Sequence, residues 1–243
     1  MKKILVLLLM GISSFGFSQS LFKAVEKGDL EEVKKVIEEG ENVNAYSEKG
    51  LFPLWRAAAD NNYEISELLI KNGADVNQSI NVPPGNSTAI ELPCQEGYLN
   101  IIKLLVDNGA EVNIKGYHDF TPIRIAARNG HLQIVKYLAQ HGAEIDFRAL
   151  DGATPLEHAA SKGHYEIVQF LIEKGANINN KDNDGDFALG EAAKRGYIEI
   201  IELLLANGAD TKMENKENKN AFDLAKERGQ KKSVEIIKAA MTK

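Results

Sequence analysis

The chain has 243 residues, 44% hydrophobic and 26% charged, with one cysteine and a formal net charge of −6. That balance belongs to a folded globular chain and excludes wholesale disorder and collagen-like or low-complexity fibres. One cysteine excludes an internal disulfide framework and multi-cysteine zinc or iron–sulfur centres, and the negative charge argues against a protein held to nucleic acid by phosphate contacts.

The first element is an address. Lys2 and Lys3 precede the apolar run Ile4–Met10, and small residues follow up to Ser18. A positive start, a short greasy centre and small residues at a cleavage point make the layout of a secretory signal. Gly16 and Ser18 suit the −3 and −1 positions, which predicts cleavage between Ser18 and Gln19. The apolar run is too short to span a bilayer, and no cysteine stands near the cleavage point to carry a lipid. The reading is a signal peptide over 1–18 and a mature domain over 19–243, exported and either periplasmic or secreted. Cleavage removes two lysines and no acid, so the mature charge is −8.

The mature chain is periodic. Gly40, Gly73, Gly109, Gly142, Gly175 and Gly208 are spaced 33, 36, 33, 33 and 33 apart, and Gly97, Gly130, Gly163, Gly196 and Gly229 run at 33 throughout. Paired alanines sit between the two series, at Ala57-Ala58, Ala126-Ala127, Ala159-Ala160 and Ala192-Ala193. A period in this range marks a stack of small supersecondary units. In the copy that begins at Thr154, the hydroxyl suits an N-cap and Pro155 suits the first helical position, where no backbone donor is needed. Gly163 ends this first helix. Ile167, Val168, Leu171 and Ile172 give a second helix one buried face, and Gly175 ends that. Neither helix buries enough surface alone, so stacking must build the core.

Seven copies align on Gln19, Phe52, Thr88, Thr121, Thr154, Phe187 and Asn220, covering approximately 19–43, 44–76, 77–112, 113–145, 146–178, 179–211 and 212–243. The best read Thr121-Pro122-Ile123-Arg124-Ile125-Ala126-Ala127 and Thr154-Pro155-Leu156-Glu157-His158-Ala159-Ala160. These residues resemble the ankyrin repeat family. The resemblance implies an all-α ankyrin repeat solenoid of about seven helix-turn-helix units with β-turn fingers, carrying no cofactor and no metal. The third copy departs most: it has three extra residues around Pro83-Pro84-Gly85 and puts Pro93 and Cys94 in the two alanine slots. Pro93 is expected to kink or shorten its helix.

Chemical motifs are sparse. No phosphate loop, Gly-x-Ser-x-Gly elbow or His-Glu-x-x-His helix occurs, and the five histidines lack ligand spacing. Asn180, Asp182, Asp184, Gly185 and Glu191 match a calcium-loop spacing, yet they also fall in phase with every other copy. The leading expectation is therefore a non-enzyme that binds another protein, as inhibitor, immunity factor or stabiliser. It is expected to be a monomer without nucleic acid or a membrane span after signal removal. The alternatives are an enzyme built on the irregular third repeat, with Cys94 as nucleophile, and a calcium-tuned surface protein using the Asp182–Asp186 finger.

The resemblance also implies that a partner is held on a concave surface by variable finger tips and the exposed side of the first helices. Carried onto this chain, that face comprises Tyr46 and Trp55 in the second copy, and Tyr117, His118, Phe120, Arg124 and Arg128 in the fourth. Arg148, Leu150 and Lys162 supply it in the fifth. Aromatic and arginine side chains at exposed positions are the usual anchors of interfaces.

Overall fold

The computed structural model describes residues 19–83 and 87–242. The expected signal over 1–18, and Pro84 and Gly85 of the insertion, lie outside the described residues. The chain divides into two compact units, 1–111 and 112–243. Both are all-α, built from helical hairpins.

The first unit holds α1 (19–27), α2 (Leu30–Glu38), α3 (Pro53–Ala59), α4 (Tyr63–Lys71), α5 (Glu91–Glu96) and α6 (Leu99–Asp107). Within it α3 packs on α5, and α2, α4 and α6 form a second row. The second unit holds α7 (Pro122–Asn129), α8 (Leu132–Gln140), α9 (Pro155–Lys162), α10 (Tyr165–Glu173), α11 (Ala188–Arg195), α12 (Ile198–Ala206), α13 (Ala221–Glu227) and α14 (Lys231–Met241). Here α7, α9, α11 and α13 pack in one row, and α8, α10, α12 and α14 in the other.

Local chemistry sets each hairpin. Pro122 and Pro155 open α7 and α9 at the position that needs no donor. The Thr154 hydroxyl accepts from Glu157 N at 3.3 Å, whereas Thr121, buried at the same register, makes no such cap bond. Gly163 ends α9 at φ +82°, and a Cβ there would lie 3.0 Å from the Tyr197 ring, so conformation and space both demand glycine. The paired alanines of α7, α9 and α11 are fully buried, and their small size lets adjacent helices close in. Ile123, Leu156 and Leu189 in one row and Val135, Val168 and Ile201 in the other are buried as core, each stabilising the fold by about 1.5–3 kcal/mol.

A side-chain ladder ties successive copies. Asn113 donates to Gly142 O at 2.9 Å and accepts from Glu144 N at 2.8 Å. Asn179 does the same to Gly208 O and Asp210 N, at 3.1 and 2.9 Å. Between them stands Asp146, which accepts from Asn177 N but has no amide to donate. In the first unit Asn44 and Asn77 repeat the full pattern.

The irregular copy is shortened, as expected, but not through a lost hydrogen bond. α5 has six residues against eight in α7, α9 and α11, because it begins at Glu91, two residues later than its neighbours' register. Pro93 thereby falls in the first turn, where its missing N–H has no intrahelical acceptor to lose.

Candidate functional site

The ten residues expected on the partner face are placed unevenly. In the first unit Tyr46 is exposed, but its hydroxyl donates to Ser79 O at 2.9 Å and its ring stands edge-on to Phe52, 6.3 Å between centroids. Trp55 is half-buried on α3, with its indole N–H 3.5 Å from the Ser87 hydroxyl. Tyr46 thus ties its finger to the next, and Trp55 ties α3 to the segment that precedes α5.

In the second unit the finger before α7 is strained. Tyr117–Asp119 form a 3-10 turn in which His118 and Asp119 both take φ 59°. Asp119 occupies the register where the following fingers have Gly152 and Gly185. The Tyr117 side chain lies outside what is described. His118 is exposed, and its carbonyl accepts from Leu150 N at 3.3 Å, which joins this finger to the next. Leu150 is 63% exposed, the most exposed large hydrophobic among the described residues. Arg148 is exposed at its edge, but its guanidinium donates to Gly152 O and Lys181 O at 3.0 and 2.8 Å, so it braces two fingers.

Arg124 corrects the sequence reading. Expected on the exposed face, it is 1% exposed. Its guanidinium lies under the half-buried Phe120 ring, 3.7 Å from the centroid, and bonds the Asp151 carboxylate of the next finger and the His158 ring. Two of its nitrogens, Nε and Nη1, are buried without a partner among the described residues. Burial first, and the Arg124 charge second, push His158 down to about 4 and hold its imidazole neutral at pH 7. Beside this cluster, Arg128 at the end of α7 and Lys162 at the end of α9 are exposed.

A second group, missed from sequence, adjoins it. Glu157 is 6% exposed and its carboxyl is pushed up to about 9, first by burial and then by Asp182, Glu191 and Asp186. Glu191 is engaged by Lys194 and Arg195. Asp182 accepts from the backbone N–H of Asp184 and Asp186, at 2.8 Å each. These carboxylates thus brace a turn and a helix, and no three His, Cys, Asp or Glu among the described residues are placed to hold a metal ion. The one sequence signal for both buried groups was a register: Glu91, Arg124 and Glu157 follow their threonines by three residues in successive copies. Glu91 is also pushed up, to about 7, by burial.

Cys94 is fully buried, and burial together with the nearby Glu91 charge pushes its thiol well above the usual range, the opposite of what a nucleophile needs. No helix of the described residues is long and apolar enough to cross a membrane.

Comparison with known proteins agrees with this geometry. A model of three ankyrin repeats matches residues 21–116 and 117–182, and a single ankyrin repeat matches 184–216. The ankyrin repeat and KH domain-containing protein mask-1 of Caenorhabditis elegans is 33% identical over 98 residues, 40% of this chain. Alpha-latrotoxin-Lg1a of Latrodectus geometricus is 35% identical over 102 residues, 42% of this chain. The matched segments span 4% and 7% of those relatives' own lengths. The crystal structure of the human ASB11 ankyrin repeat domain superposes with a TM-score of 0.79 at 27% identity, covering 89% of this chain and 96% of that one.

Proposed function

Because the chain belongs to the ankyrin repeat family, whose domains mediate protein–protein interaction, we propose that it is an exported, monomeric, non-enzymatic scaffold that grips one partner protein. The gripping surface is the finger and first-helix face of each unit. The observation that carries the reading is the tip formed by exposed His118 and Leu150, held rigid by the bond between their backbones and by the Arg148 brace. A large apolar side chain presented on a braced finger costs solvation and gains nothing until a partner covers it. The basic, small-residue-terminated leader supports export to the envelope or beyond it.

The test is capture from the envelope fraction with the 19–243 chain, compared with a variant carrying Trp55→Ala, His118→Ala and Leu150→Ala. A partner lost by that variant and kept by an outer-helix control, Glu202→Ala, supports the reading; equal capture by all three chains refutes it. An inhibitor or immunity role is marked by a one-to-one complex that silences the partner's activity. A stabilising role is marked by activity that survives heating only in the complex.

A further inference from the structure

We propose that Arg128 and Lys162, on the adjacent helices α7 and α9, form a seat for the carboxylates of a short acidic segment of the partner protein. The inference rests on the protein-binding reading above and names the chemistry of what is bound. Both side chains are exposed, and no carboxylate among the described residues pairs with either. They close on one point: each acts electrostatically on His158, which itself contacts the buried Arg124. Around that point stand three cations, Arg124, Arg128 and Lys162, against the Asp151 carboxylate and Glu157, whose buried carboxyl is pushed up to about 9 and so carries its proton at pH 7. His158 is neutral there and offsets nothing.

A cation at the last turn of a helix is ordinarily explained by the helix dipole. That explanation is incomplete here. In the first unit α5 carries Gln95 and Glu96 at the equivalent registers and no basic residue in its last turn, so that helix end forms without a cation, while the last-turn Arg56 of α3 is already paired with Glu26 and Asp60. The excess is local to α7 and α9. On α11 the corresponding cations, Lys194 and Arg195, are already paired with Glu191.

The surroundings select the ligand class. The neighbouring fingers expose Asp146, Asp151 and Asp184. A long polyanion such as nucleic acid, or an anionic membrane, must lie over these acids as well as over the seat. Screening over about 8 Å at physiological salt does not remove that repulsion at contact. A short segment bearing a few Asp or Glu side chains reaches Arg128 and Lys162 alone, and Arg128 can take a carboxylate in bidentate fashion.

The probe is a fluorescein-labelled decaglutamate peptide, followed by anisotropy against the 19–243 chain at 50 and 200 mM salt. Saturable binding is expected, weaker at the higher salt and weakened at least about tenfold by Arg128→Gln with Lys162→Gln, the loss of two charge-assisted contacts. Lys212→Gln with Lys216→Gln, on a more distant finger, should bind as the parent does. Unchanged affinity in the double variant overturns the proposal. Tighter binding of a ten-nucleotide oligothymidylate or of phosphatidylserine vesicles, lost in the same double variant, overturns it too by assigning the seat to phosphate. Envelope capture that keeps its partner with Arg128→Gln and Lys162→Gln would remove this inference and leave the protein-binding reading intact.

Discussion

The buried arginine offers the sharpest check on the energetics. Arg124 is 1% exposed and its partner Asp151 about half exposed, so the two ends of the pair should respond differently to substitution. Asp151→Asn keeps the shape and the bond from Ala153 N, 3.1 Å long, but removes the charge that compensates the buried guanidinium. A hydrogen bond to a charged group contributes about 1.5–3 kcal/mol net. The loss corresponds to a Tm lower by roughly 3–12 °C in a chain of this size. Arg124→Met instead removes the buried charge and its two unpartnered nitrogens, while a flexible apolar side chain still fills the space under Phe120. Replacing a buried ionic group by a well-packed apolar one is often neutral or stabilising, so its cost should stay within about 1 kcal/mol. Urea unfolding of the 19–243 chain at pH 7, comparing midpoints at constant slope, measures both. Burial lowers the Arg124 pKa while Asp151 raises it, and the Asp151 carboxyl lies below its ordinary value. The contribution of a depressed carboxylate is present above its unfolded pKa and lost as pH falls through the folded one, so the penalty of Asp151→Asn should shrink in acid. An Arg124→Met variant as unstable as Asp151→Asn, or more so, would refute the reasoning.

Asp119→Gly should stabilise the second unit by about 1 kcal/mol, because Asp119 holds φ 59° at a register where the next two fingers use glycine; a raised urea midpoint is the check. Asp146→Asn should add about 0.5–1 kcal/mol by supplying the missing donor of the ladder, toward Gly175 O, and lose that gain when paired with Gly175→Pro, which distorts the acceptor's turn. Glu157 binds its proton up to about pH 9 in the folded chain but only to about 4.3 unfolded. Its stabilising term is therefore complete below the unfolded pKa and lost as pH rises through the folded one, so midpoints should decline from pH 5 to 9. Glu157→Gln should flatten that decline; a profile identical to the parent's would contradict the assignment.

Much of the fold was legible because its signals are local and recur. A threonine before a proline, a glycine at a left-handed helix end and paired alanines each act within a few residues, and the 33-residue spacing adds them in phase. The same locality explains what was misread at α5. Counting along the register put Pro93 inside a helix, whereas the helix simply starts later, at Glu91, once the longer finger preceding it has closed through the Ile80 N to Ser87 O bond.

What the tertiary structure alone decided is which charges are hidden. Arg124 and Arg128 lie four residues apart on one helix, and composition treats them alike. One is covered by Phe120 from its own finger and paired with Asp151 from the next; the other stays in water. Likewise Glu157 is closed in by Asp182 and Glu191 from the following copy, with no sign of this in its own sequence neighbourhood. Capping, turning and helical phase depend on adjacent residues and can be read along the chain. Burial of an ionic group depends on side chains about 25 to 35 residues away arriving on top of it, and only the stacked copies bring them there.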